Sequence, residues 1–300
     1  MKIMLIHNKG GLGNQLFHYA AGVFYARKYG ATLEILQRPF NNHSSCGHPR
    51  PFLLSNFCVS APFREYTLLD RLICSVSPRK KPLVHLARFA TRSQVLQEHF
   101  VHLWTFLPTL PVRPSSRVVY LGGYFQVYQY AQDVKDYLRT ELCFRRPPSG
   151  RNLETLERIR AAENPVSLHV RGGDYAIWWK GARILPPSYY ARAMQTMQER
   201  ISNPTFFVFS DDIAFARALL PKGERMEFVD HNDESNPDED LRLMSSCRHH
   251  IIANSTFSWW GAWLNPCPAK VVCAPEIWQD DDPTIPYPDL LPSAWLRIPK

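Results

Sequence analysis

The sequence predicts an α/β protein of two domains, the second built on a doubly wound parallel sheet, and three observations predict it. The chain has 300 residues, more than one hydrophobic core usually serves. Beyond residue 150, short apolar runs alternate with stretches of helical period, the pattern of βα units that form a parallel sheet. Between the halves, RRPPSG at 145–150 breaks a helical pattern with two prolines and a Ser-Gly, a linker signal. The expected domains are therefore 1–150 and 151–300. With 45% hydrophobic and 13% aromatic residues, the composition is that of a folded globular chain.

The elements follow in order. MKIMLIH reads as a buried strand, the glycine turn ends at Gln15, and an apolar helix runs from about Leu16 to Lys28. Residues 38–65, rich in Pro, Asn, Ser and His, read as a long loop. Residues 66–112 alternate apolar and basic segments, SPRKK at 77–81 among them. They form either a surface helix and loop pair or a contact with an anionic acceptor or membrane. VVYLGG at 118–123 is a strand, and DVKDYLRTELCF is helical. In the second half, a helix at 151–162 precedes strands at 165–170, 205–210, 226–229, 249–253 and 270–273. Helices are expected at 188–201, 212–220, 238–247 and 256–264.

Charge and cysteines exclude several classes. A net charge of +8 suits a phosphate-bearing partner but does not identify one, and no nucleic-acid-binding signature is present. Seven cysteines without a C-x-x-C pair argue against a disulfide framework and a zinc site, and so for a reducing cytoplasm. The first residues lack the apolar length of a signal peptide or anchor, and no segment reaches a membrane-spanning length.

Ligands of doubly wound sheets bind at the carboxyl ends of the strands, and four motifs fall there. Gly10, Gly11, Gly13, Asn14 and Gln15 follow the first strand. They form either a tight turn or a place where backbone meets an anion, with the two amides suited to sugar hydroxyls and phosphate. The spacing is that of neither a dinucleotide fingerprint nor a P-loop. HVRGGDY at 169–175 puts His169 and Arg171 on one side of a strand and lets the chain turn at two glycines toward Asp174. Arg171 suits a diphosphate through its planar fork and permanent charge, although an Arg-Asp pair at a strand end is also a common structural salt bridge. In FSDD at 209–212, Ser210 or Asp211 caps a helix or, less commonly, Asp211 meets a ribose or base. Asn254, Ser255, Thr256, Phe257 and Ser258 open a helix after an apolar strand, a ready phosphate site. Trp259, Trp260 and Trp263 behind them fit core better than sugar. The acidic clusters Asp238-Glu239-Asp240 and Asp280-Asp281-Asp282 lie at a helix start and in a proline-rich loop, both wrong for holding a metal against a diphosphate.

GGLGNQLFHYA at 10–20, HVRGGDY, FVFSDD and DLRLMSSCRHHIIANSTFSWWGAWLN at 240–265 together resemble the α-1,2-fucosyltransferases of glycosyltransferase family 11, and they occur in that family's order. The resemblance implies a variant GT-B glycosyltransferase fold, two Rossmann-like domains facing a cleft. It also implies a GDP-β-L-fucose donor, no metal or other cofactor, and inverting transfer to the 2-hydroxyl of a terminal β-galactoside. The rivals are another fucosyl linkage or acceptor, and an inactive nucleotide- or glycan-binding homologue. By matching position, Arg171 binds the β-phosphate, and His169 and Asp240 lie near guanine, with Asp211 and Asn254 also on the donor side. Ser255, Thr256 and Phe257 close on the diphosphate, while Gly11, Gly13 and Asn14 approach phosphate and fucose from the first, acceptor-side domain. Asp174 is the candidate base, weakened by its nearness to Arg171, and Asn14 joins Arg171 and Asp174 in the catalytic set. The family's usual second arginine is here Gly172, so Gly172→Arg is expected to be tolerated or to tighten donor binding. A cytoplasmic enzyme acting on galactose-terminated, lipid-linked oligosaccharides is expected, with its positive charge favouring contact with the inner membrane face.

Overall fold

The structure is a computed structural model and describes residues 1–6, 10–37, 51–98, 104–173, 183–222, 225–233, 235–278 and 287–300. The chain divides into two compact units, Met1–Cys143 with Tyr287–Leu290, and Phe144–Pro286 with Leu291–Lys300. The break precedes RRPPSG instead of following it, and the reason is local. The Arg242 guanidinium lies 4.3 Å from the Phe144 ring centre and donates to the Arg146 carbonyl at 2.6 Å. Ser149 then stands at the N-cap position of the first helix of the second unit, so the proline pair belongs to that unit. Near the other end of the chain, Asp289 ties Tyr287–Leu290 into the first unit: its carbonyl accepts from the Tyr128 amide, and its carboxylate from the Phe106 amide at 2.8 Å.

The first unit contains β1 (Lys2–Ile6), α1 (Leu12–Tyr29), β2 (Thr32–Gln37), β3 (Phe63–Glu65), α2 (Leu68–Ile73), α3 (Lys81–Ala90), β4 (Ser93–Gln97), β5 (Val118–Gly122), α4 (Tyr128–Asp133) and α5 (Lys135–Glu141). Its strands form a parallel sheet in the order β3-β2-β1-β5-β4. Strand order reverses between β1 and β5, which makes their carboxyl ends a topological switch point. Helix α1 begins four residues ahead of the expected start, so Gly13 and Asn14 lie in its first turn. It is buried on nearly every side over Leu12–Ala26, and Gly22 is what lets it close on β1, since a Cβ there would meet Leu5 Cδ1 at 2.6 Å. The sequence pattern does not announce strands β2, β3 and β4. Where one helix was expected over 133–144, α4 and α5 meet at Val134. Residues 38–50 of the expected long loop lie outside the described residues, and its remainder includes β3.

The second unit contains α6 (Gly150–Ala161), β6 (Asn164–Val170), α7 (Pro187–Arg200), β7 (Pro204–Ser210), α8 (Ile213–Leu219), β8 (Met226–Phe228), α9 (Pro237–Ser246), β9 (His249–Ile251), α10 (Thr256–Leu264), β10 (Val272–Pro275) and β11 (Leu296–Ile298). The six strands are parallel in the order β11-β10-β9-β6-β7-β8. That is the doubly wound order, with its switch point between β6 and β9. β6 is buried at every residue, as a central parallel strand covered on both faces should be. One core packs Val166, Leu168 and Val170 against α7, and a second packs Phe207 and Phe209 against Leu243 and Met244 of α9. Trp259 and Trp260 are fully buried and Trp263 nearly so, with ring centres 5.1 and 5.0 Å apart in sequence, so the tryptophans are core.

Candidate active site

At the switch point of the second unit, β6 runs out at Val170 and delivers Arg171, Gly172 and Gly173. Register pairs His169 with Phe209 and Val170 with Ser210 on β7, so the residues following the two strands meet. Arg171 Nη1 lies 3.1 Å from Asp211 Oδ2, with side chains 18% and 12% exposed. The Gly172 amide donates to Asp211 Oδ1 at 3.0 Å. Burial alone would raise the Asp211 carboxyl, but the Arg171 charge and the Gly172 and Gly173 amides hold it below the usual carboxylate range. The Arg171 backbone also hydrogen-bonds the hydroxyl of Tyr190, which is fully buried. Both ends of Arg171 are thereby fixed.

Asp211 is thus the carboxylate beside Arg171. It does not cap α8, nor does Ser210: Asp212 does, accepting from the Phe215 amide at 2.9 Å. Asp174 lies outside the described residues. Gly172 has a second reason for being glycine. A Cβ there would stand 2.5 Å from Phe215 Cδ1, and Phe215 packs on the core, so the space that an arginine stem needs is occupied. This overturns the expectation that Gly172→Arg is tolerated.

His169 is buried, and its Nδ1 has no hydrogen-bond partner among the described residues. Burial, then the Arg171 charge, push its pKa down to about 3 against a smaller opposing pull from Asp211, so it is neutral near pH 7. Its ring centre is 5.8 Å from that of Phe257, in the first turn of α10. That helix is asymmetric at its ends. Ser255, at the N-cap, makes no side-chain capping bond, and the positive end of the helix dipole lies there. At the other end, Lys270 Nζ donates to the Ala262 and Asn265 carbonyls at 2.6 and 2.7 Å. Asn254, 3% exposed, donates through Nδ2 to the Arg183 and Trp278 carbonyls at 3.0 and 3.1 Å, which fixes the loop entering α10. His169, Arg171, Asp211 and Phe257 therefore gather at one switch point, with Asn254, Ser255 and Thr256 on the neighbouring strand end.

Asp240 lies in the first turn of α9. Asn232 Nδ2 donates to its Oδ1 at 2.7 Å, and Asn232 also exchanges bonds with Asn152. Burial, reinforced by Glu239 and only partly offset by Asn232, pushes Asp240 up to about 7. Its neighbour Glu239 is paired with Arg242 at 2.9 Å. Among the described residues no group of three or more His, Cys, Asp or Glu is arranged to hold a metal ion. Asp280-Asp281-Asp282 lies outside those residues.

Gly10, Gly11, Gly13 and Asn14 belong to the first unit, at its own switch point. A Cβ on Gly10 would meet Asn14 Cβ at 2.5 Å, whereas one on Gly11 would meet nothing; the first glycine serves packing and the second leaves open backbone. Asn14 Oδ1 accepts from Gln126 Nε2 at 2.8 Å, and Gln126 Oε1 accepts from Trp104 Nε1 at 3.0 Å. Gln15 differs from its expected ligand role: buried, it donates to the Pro51 carbonyl at 2.8 Å and accepts from the Leu53 amide at 2.9 Å. Two further groups carry no motif in the sequence. One is Gln126. The other is Glu98, whose Oε2 accepts the Tyr124 and Phe125 amides at 2.6 and 2.8 Å, and whose carboxyl burial raises to about 7 against those two bonds. It steadies a turn in which Phe125 has φ 49, a conformation that a bulky residue rarely adopts.

Comparison with known proteins bears on the family and the fold. The model of Glycosyl transferase family 11 matches residues 89–287. The Alpha-1,2-colitosyltransferase of Escherichia coli is 28% identical over the whole of both chains. The O-antigen biosynthesis glycosyltransferase WbnK of Escherichia coli is 28% identical over 90% of this chain and 92% of its own. The mouse Galactoside 2-alpha-L-fucosyltransferase Sec1 is 33% identical over 33% of this chain and 28% of its own. Among solved structures, the fucosyltransferase NodZ of Bradyrhizobium superposes with a TM-score of 0.52 at 16% identity, covering 89% of this chain and 94% of that one. The E. coli ADP-heptose heptosyltransferase II does so with 0.50 at 12% identity, covering 99% and 90%. At such identities the likeness speaks for the fold, two Rossmann-like units of the GT-B kind.

Proposed function

The chain belongs to glycosyltransferase family 11, and we propose that it moves L-fucose from GDP-β-L-fucose to the 2-hydroxyl of a terminal β-galactoside, with inversion and without a metal. The observation that carries the donor reading is the half-buried Arg171–Asp211 pair at the β6 switch point, beside a helix start without a side-chain cap. A guanidinium fixed from behind presents paired donors to a β-phosphate, and the α10 amides share the charge that develops as GDP leaves. That division of labour supplies what a divalent ion supplies in metal-dependent transferases. Neutral His169, with its buried Nδ1 unpartnered, and Phe257 suit the nucleotide side, as does Asp240 among its amides. Asn254 acts there by fixing the loop, and Ser255 and Thr256 by offering hydroxyls and amides. Gly11, Gly13 and Asn14 serve the sugar and the acceptor. Asp174 remains the candidate base for the acceptor proton.

The galactoside acceptor is supported by relatives such as Sec1. A second donor reading is supported by the colitosyltransferase, which aligns over the full chain: the activated sugar is then colitose. The test is to offer the protein GDP-fucose and nucleotide-activated colitose with galactose-terminated acceptors in EDTA, then determine the product linkage. An α-1,2-fucosylated galactoside formed in EDTA supports the first reading. Transfer of colitose alone, transfer that needs added metal, or GDP-fucose that binds without transfer overturns it. The reading includes a cytoplasmic enzyme whose acceptor is lipid-linked; among the described residues no helix is long and apolar enough to cross a membrane.

A further inference from the structure

Surface helices normally turn their apolar stripe inward, and α3 does the reverse. Of its ten residues only Val84 is buried. Leu83, Leu86 and Phe89, three residues apart and so along one exposed face, are 58%, 64% and 84% exposed. Just upstream, Leu68, Leu69 and Val76 are 82%, 47% and 93% exposed. Among the described residues these are six of the ten large hydrophobic side chains left in solvent, so the apolar exposure of the molecule is concentrated on one segment.

This exposure is not the result of loose attachment. Asp70 of α2 is held by Arg64 at 2.6 Å and by the Tyr120 hydroxyl at 2.7 Å. Arg88 of α3 donates to the Ile73 carbonyl through Nε and Nη2 at 3.0 and 2.8 Å. The inner face of the helix pair is anchored by polar bonds, and the outer face is apolar.

The charge on the same segment is one-sided. Residues 68–92 contain six Lys or Arg against one acid, Asp70, and that acid is paired. Arg71, Arg79, Lys80, Lys81 and Arg92 are exposed. Such a patch repels a second copy of itself, because basic charge would face basic charge. An apolar face rimmed by Lys and Arg instead complements a surface of anionic lipid headgroups over acyl chains.

The geometry points to residues 68–92 as the surface by which this protein docks on an anionic lipid bilayer, with Leu83, Leu86 and Phe89 entering the headgroup boundary and the basic rim lying on it. Docking needs no donor or acceptor, so its test stands apart from the activity proposed above. The purified protein is floated with vesicles of phosphatidylcholine and of phosphatidylcholine containing phosphatidylglycerol, at low and high salt. Each basic side chain near such a surface strengthens partition several-fold, so binding is expected to be on the order of 100-fold stronger on the anionic vesicles and to weaken with salt. Arg79→Ala/Lys80→Ala/Lys81→Ala is expected to lose about 100-fold of it. Leu83→Ser/Leu86→Ser/Phe89→Ser loses at least roughly 10-fold, with thermal midpoint and transfer to a soluble acceptor unchanged for both. Equal partition on neutral and anionic vesicles, or variants that float like the parent, overturns the proposal. So does a parent that stays off anionic vesicles while sedimenting as a dimer that the serine variant dissolves, which would make the patch a protein interface.

Discussion

The two sheets end in different chemistry at equivalent places. At the β6/β9 switch point the polar groups are charged or held neutral chiefly by burial: Arg171 against Asp211, and His169 pushed down to about 3 by burial and then by Arg171. At the β1/β5 switch point they are the amides Asn14 and Gln126. A fixed cation suits the anionic part of a nucleotide-sugar, and amides suit the hydroxyls of a neutral sugar. One architecture used twice thus gives two recognition modes, and the division predicts which changes weaken donor binding and which weaken handling of the sugar.

The largest effect should come from the charged end. Arg171→Ala is expected to lower kcat/KM by roughly 100- to 1,000-fold; steady-state kinetics that retain most of the activity would break the comparison. Next comes Gly172→Arg. The clash with Phe215 predicts a loss of about 1–3 kcal/mol in unfolding free energy, read by denaturant titration, and Phe215→Ala in the same chain should restore part of it. At the amide end, Gln126→Ala removes two neutral hydrogen bonds, one to Asn14 and one from Trp104. Its kcat/KM should fall about 5-fold at unchanged affinity for GDP, and weakened GDP binding would blur the division. The smallest effect concerns pH. Asp240 keeps its proton in the folded chain up to about 7, against an ordinary value of 3.8. The folded state therefore holds more protons across that window, and its stability falls as pH rises through it. Asp240→Asn should flatten that fall in part, since Glu98, also raised to about 7, remains; an unaltered slope would show that Asp240 does not cause it.

Most of the second unit was legible in the sequence, because its central strands are short continuous apolar runs between helices of clear period. The helix expected at 256–264 spans those residues in the structure. The strands that escaped are β2, β3 and β4 in the first unit and β11 in the second. They are edge or half-buried strands such as SQVLQ, where polar residues interrupt the apolar run. The charged site was legible as motifs but not as pairs. Arg171 and Asp211 lie forty positions apart in sequence, and only the parallel register of β6 and β7 brings them together, whereas Asp174 is the carboxylate nearer in sequence. Register reasoning across two strand ends could have found the pair. Glu98 and Gln126 left no local signal, since their roles depend on a turn at 123–125 whose conformation the sequence does not announce.

The claim that the β6 switch point grips the diphosphate is tested most directly by calorimetry of GDP and guanosine on the parent and on Arg171→Ala. A charged hydrogen-bonding group is worth enough that GDP should bind the variant about 10- to 100-fold more weakly, while guanosine binds both proteins alike. GDP binding the variant as tightly as the parent would contradict the account.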